Sequence, residues 1–352
     1  MPFRLYANCI AVRGARRGLI CDLQRRRYYP VPLSLLDTLE RHRDDDRDEL
    51  YAGYPPEAHG VLDEYFAALT SEELGWWCDE PDRFPEMELT WDYPGRISNA
   101  IIDTGPESEH DYAELFRQLD DLGCRAVQLR FFAPVALARV DEILAGSDAS
   151  GFRSLEVLLP FTDETDDERL GALMLRHPRV QSLFCHSAPE RRLGEAPFLT
   201  ATIAYHTDRV DSSAHCGQVH PAYFVVSLPL FTESQRHNSC LNRKVSVDEH
   251  GDIRNCPSMP GNYGNARDTS LHSAVARADF REVWDINKDQ IDVCRDCEFR
   301  HICTDCRAFV RDSDDRYSKP SRCGYDPYTA TWKSEPSPGQ LTATAAMAAA
   351  AG

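Results

Sequence analysis

The stretch 294–306, CRDCEFRHICTDC, places four cysteines in two C-x2-C pairs within thirteen residues. No other feature constrains the fold as tightly, because thiols this crowded need a bridge or a shared metal. The chain has thirteen cysteines, an odd number that leaves one unpaired in any all-disulfide scheme. Its N-terminus, MPFRLYANCIAVRGARRGLICDL, breaks its apolar run too early for a signal peptide. A cytoplasmic location is therefore expected, and that compartment disfavours disulfides. Thiolates suit zinc, copper(I) and iron–sulfur clusters. Zinc closes compact C-x2-C pairs into one tetrahedral site, and Cys294, Cys297, Cys303 and Cys306 could form one. Iron–sulfur clusters need as many thiolates but accept wider, interleaved spacings.

The dense run has company. Cys216, Cys240, Cys256 and Cys323 bring the C-terminal cysteines to eight, the ligand number of two four-thiolate centres. Between Cys240 and Cys256, RKVSVDEHGDIRNC reads as a short hairpin turning at Asp248, His250 and Gly251. Gly251 is expected at positive φ, and the hairpin brings Cys240 near Cys256. The irregular gaps and the late Cys323 lean toward clusters, and spacing leaves a pair of zinc sites open.

The 352 residues favour two or three domains, and 42% hydrophobic content supports sizeable cores. No run of about 18 apolar residues is present, so no membrane span or membrane partner is expected. A net charge of −18 argues against a nucleic-acid partner, which needs a basic face. Residues 1–80 read as a small α+β unit. CIAVRG, GLICDLQ and RRRYYPV are strands, and stripes at Leu35, Leu36, Leu39 and at Leu62, Tyr65, Phe66, Leu69 mark helices. RDDDRDEL reads as a solvated link, and the proline-rich 81–95 as a linker with one short strand. From Ile97 to Ser234 strands alternate with helical patterns: NAIIDT, AVQLRFF, SLEVLLPF, QSLFCHS, TATIAYHT and YFVVSLPLF are the strands. This is an α/β pattern around a parallel sheet, with too few units for a full eight-fold barrel. A partial (β/α) barrel or open sheet is expected over 81–234. Residues 235–332 have short runs rich in Gly, Pro, Asn and Cys, a texture that needs metal staples. The tail 333–352 is expected to be disordered.

The cysteine pattern C-x10-G-x4-C, then C-x2-C-x5-C and a late closing cysteine, resembles the SPASM domain. The segments FTESQRHNSCLNRK, IRNCPSMPGNYGN, CEFRHICTDCRAF and KPSRCGYDPY resemble more narrowly the SPASM-domain peptide maturase of grasp-with-spasm systems. The resemblance spans residues 1 to about 332. It implies two [4Fe–4S] clusters, a ribosomally made precursor peptide as partner, and an ATP-grasp ligase beside it. It also implies a ligand division: Cys294, Cys297, Cys303 and Cys323 on an outer centre, and Cys240, Cys256, Cys306 and Cys216 on the other. Two departures stand out. The gap before Cys306 is two residues where the domain has three, and twenty-three residues separate Cys216 from Cys240.

Radical-SAM chemistry needs a C-x3-C-x2-C loop, and no such triad occurs. The α/β region therefore resembles a degenerate radical-SAM barrel, and S-adenosylmethionine is not expected as a cofactor. Cys9, Cys21, Cys124 and Cys185 read as buried small hydrophobes. His186, His206 and His220 read as packing or surface residues, with His215 and His237 as candidate donors to the centres. Glu233 and Glu298 are acid–base candidates that nothing pairs with a nucleophile. Residues 1–80 resemble a PqqD-like winged-helix module, in which a strand edge and the basic RGARRG and QRRR would meet an acidic leader. Three readings follow: an accessory protein binding peptide and ligase, a redox enzyme working through an auxiliary cluster, or a zinc-stabilised interaction protein.

Overall fold

The computed structural model describes residues 1–304 and 306–333. Except for Lys333, the tail expected to be disordered lies outside the described residues.

The first sheet is an antiparallel meander of β2 (Cys9–Arg13), β3 (Gly18–Asp22) and β4 (Arg27–Val31). The preceding β1 (Phe3–Leu5) pairs antiparallel with β5 (Gly75–Trp77), so the segment is closed by its own ends. Between them run α1 (Leu33–Arg41), α2 (Arg47–Ala52) and α3 (His59–Ser71). The expected stripes face inward: Leu35, Leu36, Leu62, Phe66 and Leu69 pack with Ile20 and Val31. Alternation along β3 splits its side chains between two cores. Ile20 meets the helices, while Leu19 and Cys21 enter a second cluster with Phe231, Phe299 and Ile302. RDDDRDEL is a link only as far as Asp46; its second half begins α2. Asp46 accepts the Glu49 N–H and Glu49 returns the bond to Asp46, a capping box that starts α2.

The large sheet is built from β6 (Asn99–Thr104), β7 (Ala126–Phe131), β8 (Ser154–Pro160), β9 (Val180–His186), β10 (Arg192–Leu193) and β11 (Thr202–Tyr205). Two further strands, β12 (Lys244–Val247) and β13 (Ile253–Arg254), complete it. The eight strands run in the order β10-β11-β9-β8-β7-β6-β12-β13, parallel except for the two short edge strands. Helices α4 (Tyr112–Asp121), α5 (Leu137–Ala145) and α6 (Asp167–Arg176) connect successive strands and cover one face. Leu115, Phe116, Val140, Leu144, Leu170 and Leu173 pack there on Ile102, Leu129, Val157 and Leu183. Gly123, at φ +79°, lets α4 turn straight into β7.

Three expectations change. The sheet crosses the boundary drawn at residue 234, because β12 pairs in parallel with β6 (Val245 opposite Ala100). YFVVSLPLF is not a strand. Pro229 sits in the first turn of α7 (Leu228–Glu233), where its missing N–H costs nothing, and Ser227 caps the helix by accepting the Leu230 N–H. Residues 81–95 hold no strand, only a turn of 3-10 helix at Pro81–Arg83. Beyond β13 the described chain is mostly turns, with α8 (Leu271–Ala276) lying against α4. No helix among the described residues is long and apolar enough to cross a membrane.

Candidate cysteine centres

The face of the large sheet opposite the helices is polar where a parallel sheet is normally apolar. Alternate residues of β6, β7, β8 and β12 bring Asp103, Gln128, Arg130, Glu156, Lys244 and Ser246 to the side opposite the helices. Arg130 and Asp103 are buried and joined by two parallel hydrogen bonds of 2.6 and 2.7 Å, the geometry of guanidinium and carboxylate. Burial alone would lower the Arg130 pKa. Asp103 outweighs it and holds the guanidinium charged, with further support from Cys216 and Cys256. Gln128 donates to Glu156 at 3.0 Å. Burial pushes Glu156 up to about 7 and Glu233, on α7, up to about 7 as well.

The cysteines assemble against this face. Cys216 ends a 3-10 turn at Ser213–His215. Cys240 lies in the turn between α7 and β12, where the Asn238 side chain accepts the N–H groups of Cys240 and Leu241 at 3.0 and 2.9 Å. Cys256 follows β13, and Gly251, at φ +87°, makes the turn that brings the chain back. Cys306 arrives from the dense run. Burial raises the Cys256 thiol to about 12, with like-charge repulsion from Cys216 and Cys240 adding to it. Burial likewise raises Cys306, and Cys240, Cys216 and Cys256 push it further. The four cysteines Cys216, Cys240, Cys256 and Cys306 thus share one neighbourhood, called here the inner set. Gly217 packs tightly on it: at φ +83°, a Cβ there would stand 2.8 Å from the Cys306 sulfur.

The outer set gathers on the other side of the dense run. Cys294 opens a 3-10 turn, and Cys297 is raised by burial and then, against a bond from the Phe299 N–H, by Glu298, Cys303 and Cys294. Cys323 pairs through a β-bridge to Val219 and packs on the same apolar cluster as Cys297 and Cys303. Cys323 therefore shares a core with the dense run although nineteen residues of sequence separate it from Cys303. Among the described residues no three His, Cys, Asp or Glu donors stand at the spacing of a single bound ion. What the chain supplies is two neighbourhoods of four thiols each, a donor type and number that suits either zinc or an iron–sulfur cluster.

The other candidates have partners of their own. His215 bonds Asp211 at 3.0 Å and His237 bonds Asp285 at 2.8 Å. His186 lies against the Phe131 carbonyl, His206 against the Phe184 ring, and His220 accepts the Ala222 N–H. Glu298 is fully buried and accepts from Arg17 at 2.7 Å and from the Tyr325 hydroxyl. Cys9, Cys21, Cys124 and Cys185 are buried, as is Cys78. One residue escaped the sequence reading: Lys244 Nζ donates to Cys240 Sγ at 3.6 Å. Its signal is a lysine at the head of the alternating run KVSV. No protein-family model matches this chain, and no curated protein matches it.

Proposed function

We propose that this chain is an iron–sulfur protein of the SPASM type that handles a ribosomally made precursor peptide beside an ATP-grasp ligase. The observation that carries the reading is the sorting of eight C-terminal cysteines into two neighbourhoods, split within the dense run between Cys303 and Cys306. Cys216, Cys240, Cys256 and Cys306 would hold one [4Fe–4S] cluster, and Cys294, Cys297, Cys303 and Cys323 the other. When bound, such clusters supply one-electron transfer. The chain's own contribution is to bury the thiols, to set Lys244 against Cys240, and to anchor both sets on a partial (β/α) barrel. No C-x3-C-x2-C loop is present, so the chain is proposed as an accessory partner in maturation rather than the source of a SAM radical.

The N-terminal unit would take the peptide. Among the described residues β4 pairs only with β3, which leaves one strand edge free to accept an extended segment. A cleft of about 360 Å³ lies beside that edge, lined by Arg26, Arg27, Tyr28, Tyr29, Glu72, Phe224 and Val226. Arginines and aromatic rings there suit an acidic, partly apolar leader. RGARRG serves differently from the sequence expectation: Arg13 pairs with Asp37 and Glu40, and Arg17 with Glu298. The test is binding of a labelled acidic, partly apolar peptide of the kind a leader would present. Arg26→Glu with Arg27→Glu should weaken binding about tenfold or more, the cost of roughly 1.4 kcal/mol. Unchanged affinity would remove the β4 edge as the docking site.

A further inference from the structure

We propose that residues 280–287 form a brace that positions the inner cysteine set through two buried asparagines, Asn238 before Cys240 and Asn255 before Cys256. The inference rests on the reading that the inner set holds a metal centre, and adds what fixes the spacing of its loops.

The β12–β13 hairpin alone leaves that spacing open. Its pairs are Ser246 with Arg254 and Val247 with Ile253. Cys240 and Cys256 both lie beyond the Ser246 end, outside those pairs. Asn238 and Asn255 supply the missing ties. Each is 1% exposed. A buried amide without partners would be costly, and an apolar side chain would fill the space without fixing a direction. The Asn255 Nδ2 donates to the Phe280 carbonyl at 2.7 Å. The Asn238 Nδ2 donates to the Ile286 carbonyl at 3.0 Å, and the Asn238 backbone N–H to the Trp284 carbonyl at 2.7 Å. The Oδ1 of the same amide accepts the N–H groups of Cys240 and Leu241. One planar group therefore runs from the brace to the Cys240 backbone. Asn287 adds a further tie, its Nδ2 donating to the Gln235 carbonyl at 3.0 Å.

The brace is anchored at both ends. Phe280 is fully buried in the core of the large sheet, in the cluster that holds Val245, Val247 and Ile253. Ile286 packs with Ile291 and Cys294 of the outer set. A frame fixed at the sheet and at Cys294 holds the Cys240 and Cys256 loops at one separation before a metal arrives. Asn238 and Asn255 are thus positioning residues for the inner centre and not for the outer one.

The experiment follows metal release to a chelator from the full chain, prepared anaerobically. Electron paramagnetic resonance of the reduced chain separates the two centres, with Cys256→Ala and Cys297→Ala assigning their signals. Asn238→Ser keeps a side-chain oxygen for the Cys240 turn but cannot reach Ile286. Asn255→Ala removes the bond to Phe280. Each should release inner-centre metal about tenfold faster or more and shift the inner signal, while the outer centre keeps its rate and its signal. Asp46→Ala, which weakens α2, is the control for general destabilisation and should leave both centres unchanged. Equal acceleration at both centres, or an inner centre in Asn238→Ser that matches the native chain, would overturn the brace and leave the iron–sulfur reading standing. Should either variant fail to fold, the other decides. Zinc without sulfide would overturn the iron–sulfur reading; the release rates then decide on the brace by the same criteria, with Cys256→Ala identifying the inner zinc. A chain that retains neither metal would overturn both.

Discussion

Gly217 and Gly251 share a backbone conformation and differ in what surrounds them. Both sit at positive φ, at +83° and +87°. A Cβ at Gly217 would meet the Cys306 sulfur at 2.8 Å, whereas at Gly251 it would meet the Asn265 side chain at 3.0 Å. Each alanine substitution should cost about 1 kcal/mol of backbone strain. Only Gly217→Ala should also lower the metal retained per chain, measured on matched preparations. Glu156 gives a pH signature. Its folded pKa, raised by burial to about 7 from 4.5, means the folded chain keeps a proton that the unfolded chain has lost. Stability is therefore full below about pH 4.5 and falls as pH rises through 7. The loss is on the order of 1–3 kcal/mol, allowing for partial solvent access. Urea denaturation from pH 5 to 8 should show this decline in the native chain and a flatter profile in Glu156→Gln. At this scale the apolar surroundings of Cys9, Cys21, Cys124 and Cys185 make their burial legible, since each lies in or beside a strand-like run. Lys244 was not legible, because its role depends on a sulfur four residues away that only the turn before β12 brings within reach.

Elements with a strong period were readable and those governed by a single cap were not. The stripes of α1 and α3 and the alternation from β6 to β9 are repeated several times, so packing and propensity agree. The start of α2 hangs on Asp46 and Glu49 inside a run of charges, where D-x-x-E was hidden by its neighbours. Likewise α7 begins at Ser227 within an apolar stretch whose composition favours a strand. Asp46→Ala should lower stability by about 1 kcal/mol, since the Glu49 N–H in the first turn of α2 loses its acceptor. Equilibrium denaturation checks this, with unchanged metal content showing that the loss is local to α2.

At the scale of the whole molecule, the seam between the first sheet and the outer cysteine loop is closely built. The Ala15 N–H donates to the Asp296 carbonyl at 2.7 Å, Arg300 reaches the Arg13 carbonyl, and Arg17 holds Glu298. Gly14 approaches the Glu298 backbone so closely that a Cβ would stand 2.8 Å from its nitrogen. The turn RGARRG is thus a clamp onto residues 294–300. Sequence alone could not show this, because both partners read as surface charge until the chain brings them together across about 280 residues. The pairing of β12 with β6 was hidden for the same reason: alternation identifies a strand but not its neighbour. Arg17→Ala leaves a buried carboxylate without its ion-pair partner, a loss of about 3 kcal/mol or more. Hydrogen exchange should rise in β2, β3 and residues 294–303 while β7 and β8 stay protected; a uniform rise would contradict a local seam.

The central claim is that the two cysteine sets hold iron–sulfur clusters, and the most direct measurement is iron, acid-labile sulfide and zinc per chain in one anaerobic preparation. Two cubane clusters predict about eight irons with matching sulfide, falling by about half in Cys256→Ala and in Cys297→Ala. Zinc without sulfide, or iron content indifferent to those substitutions, would contradict the account.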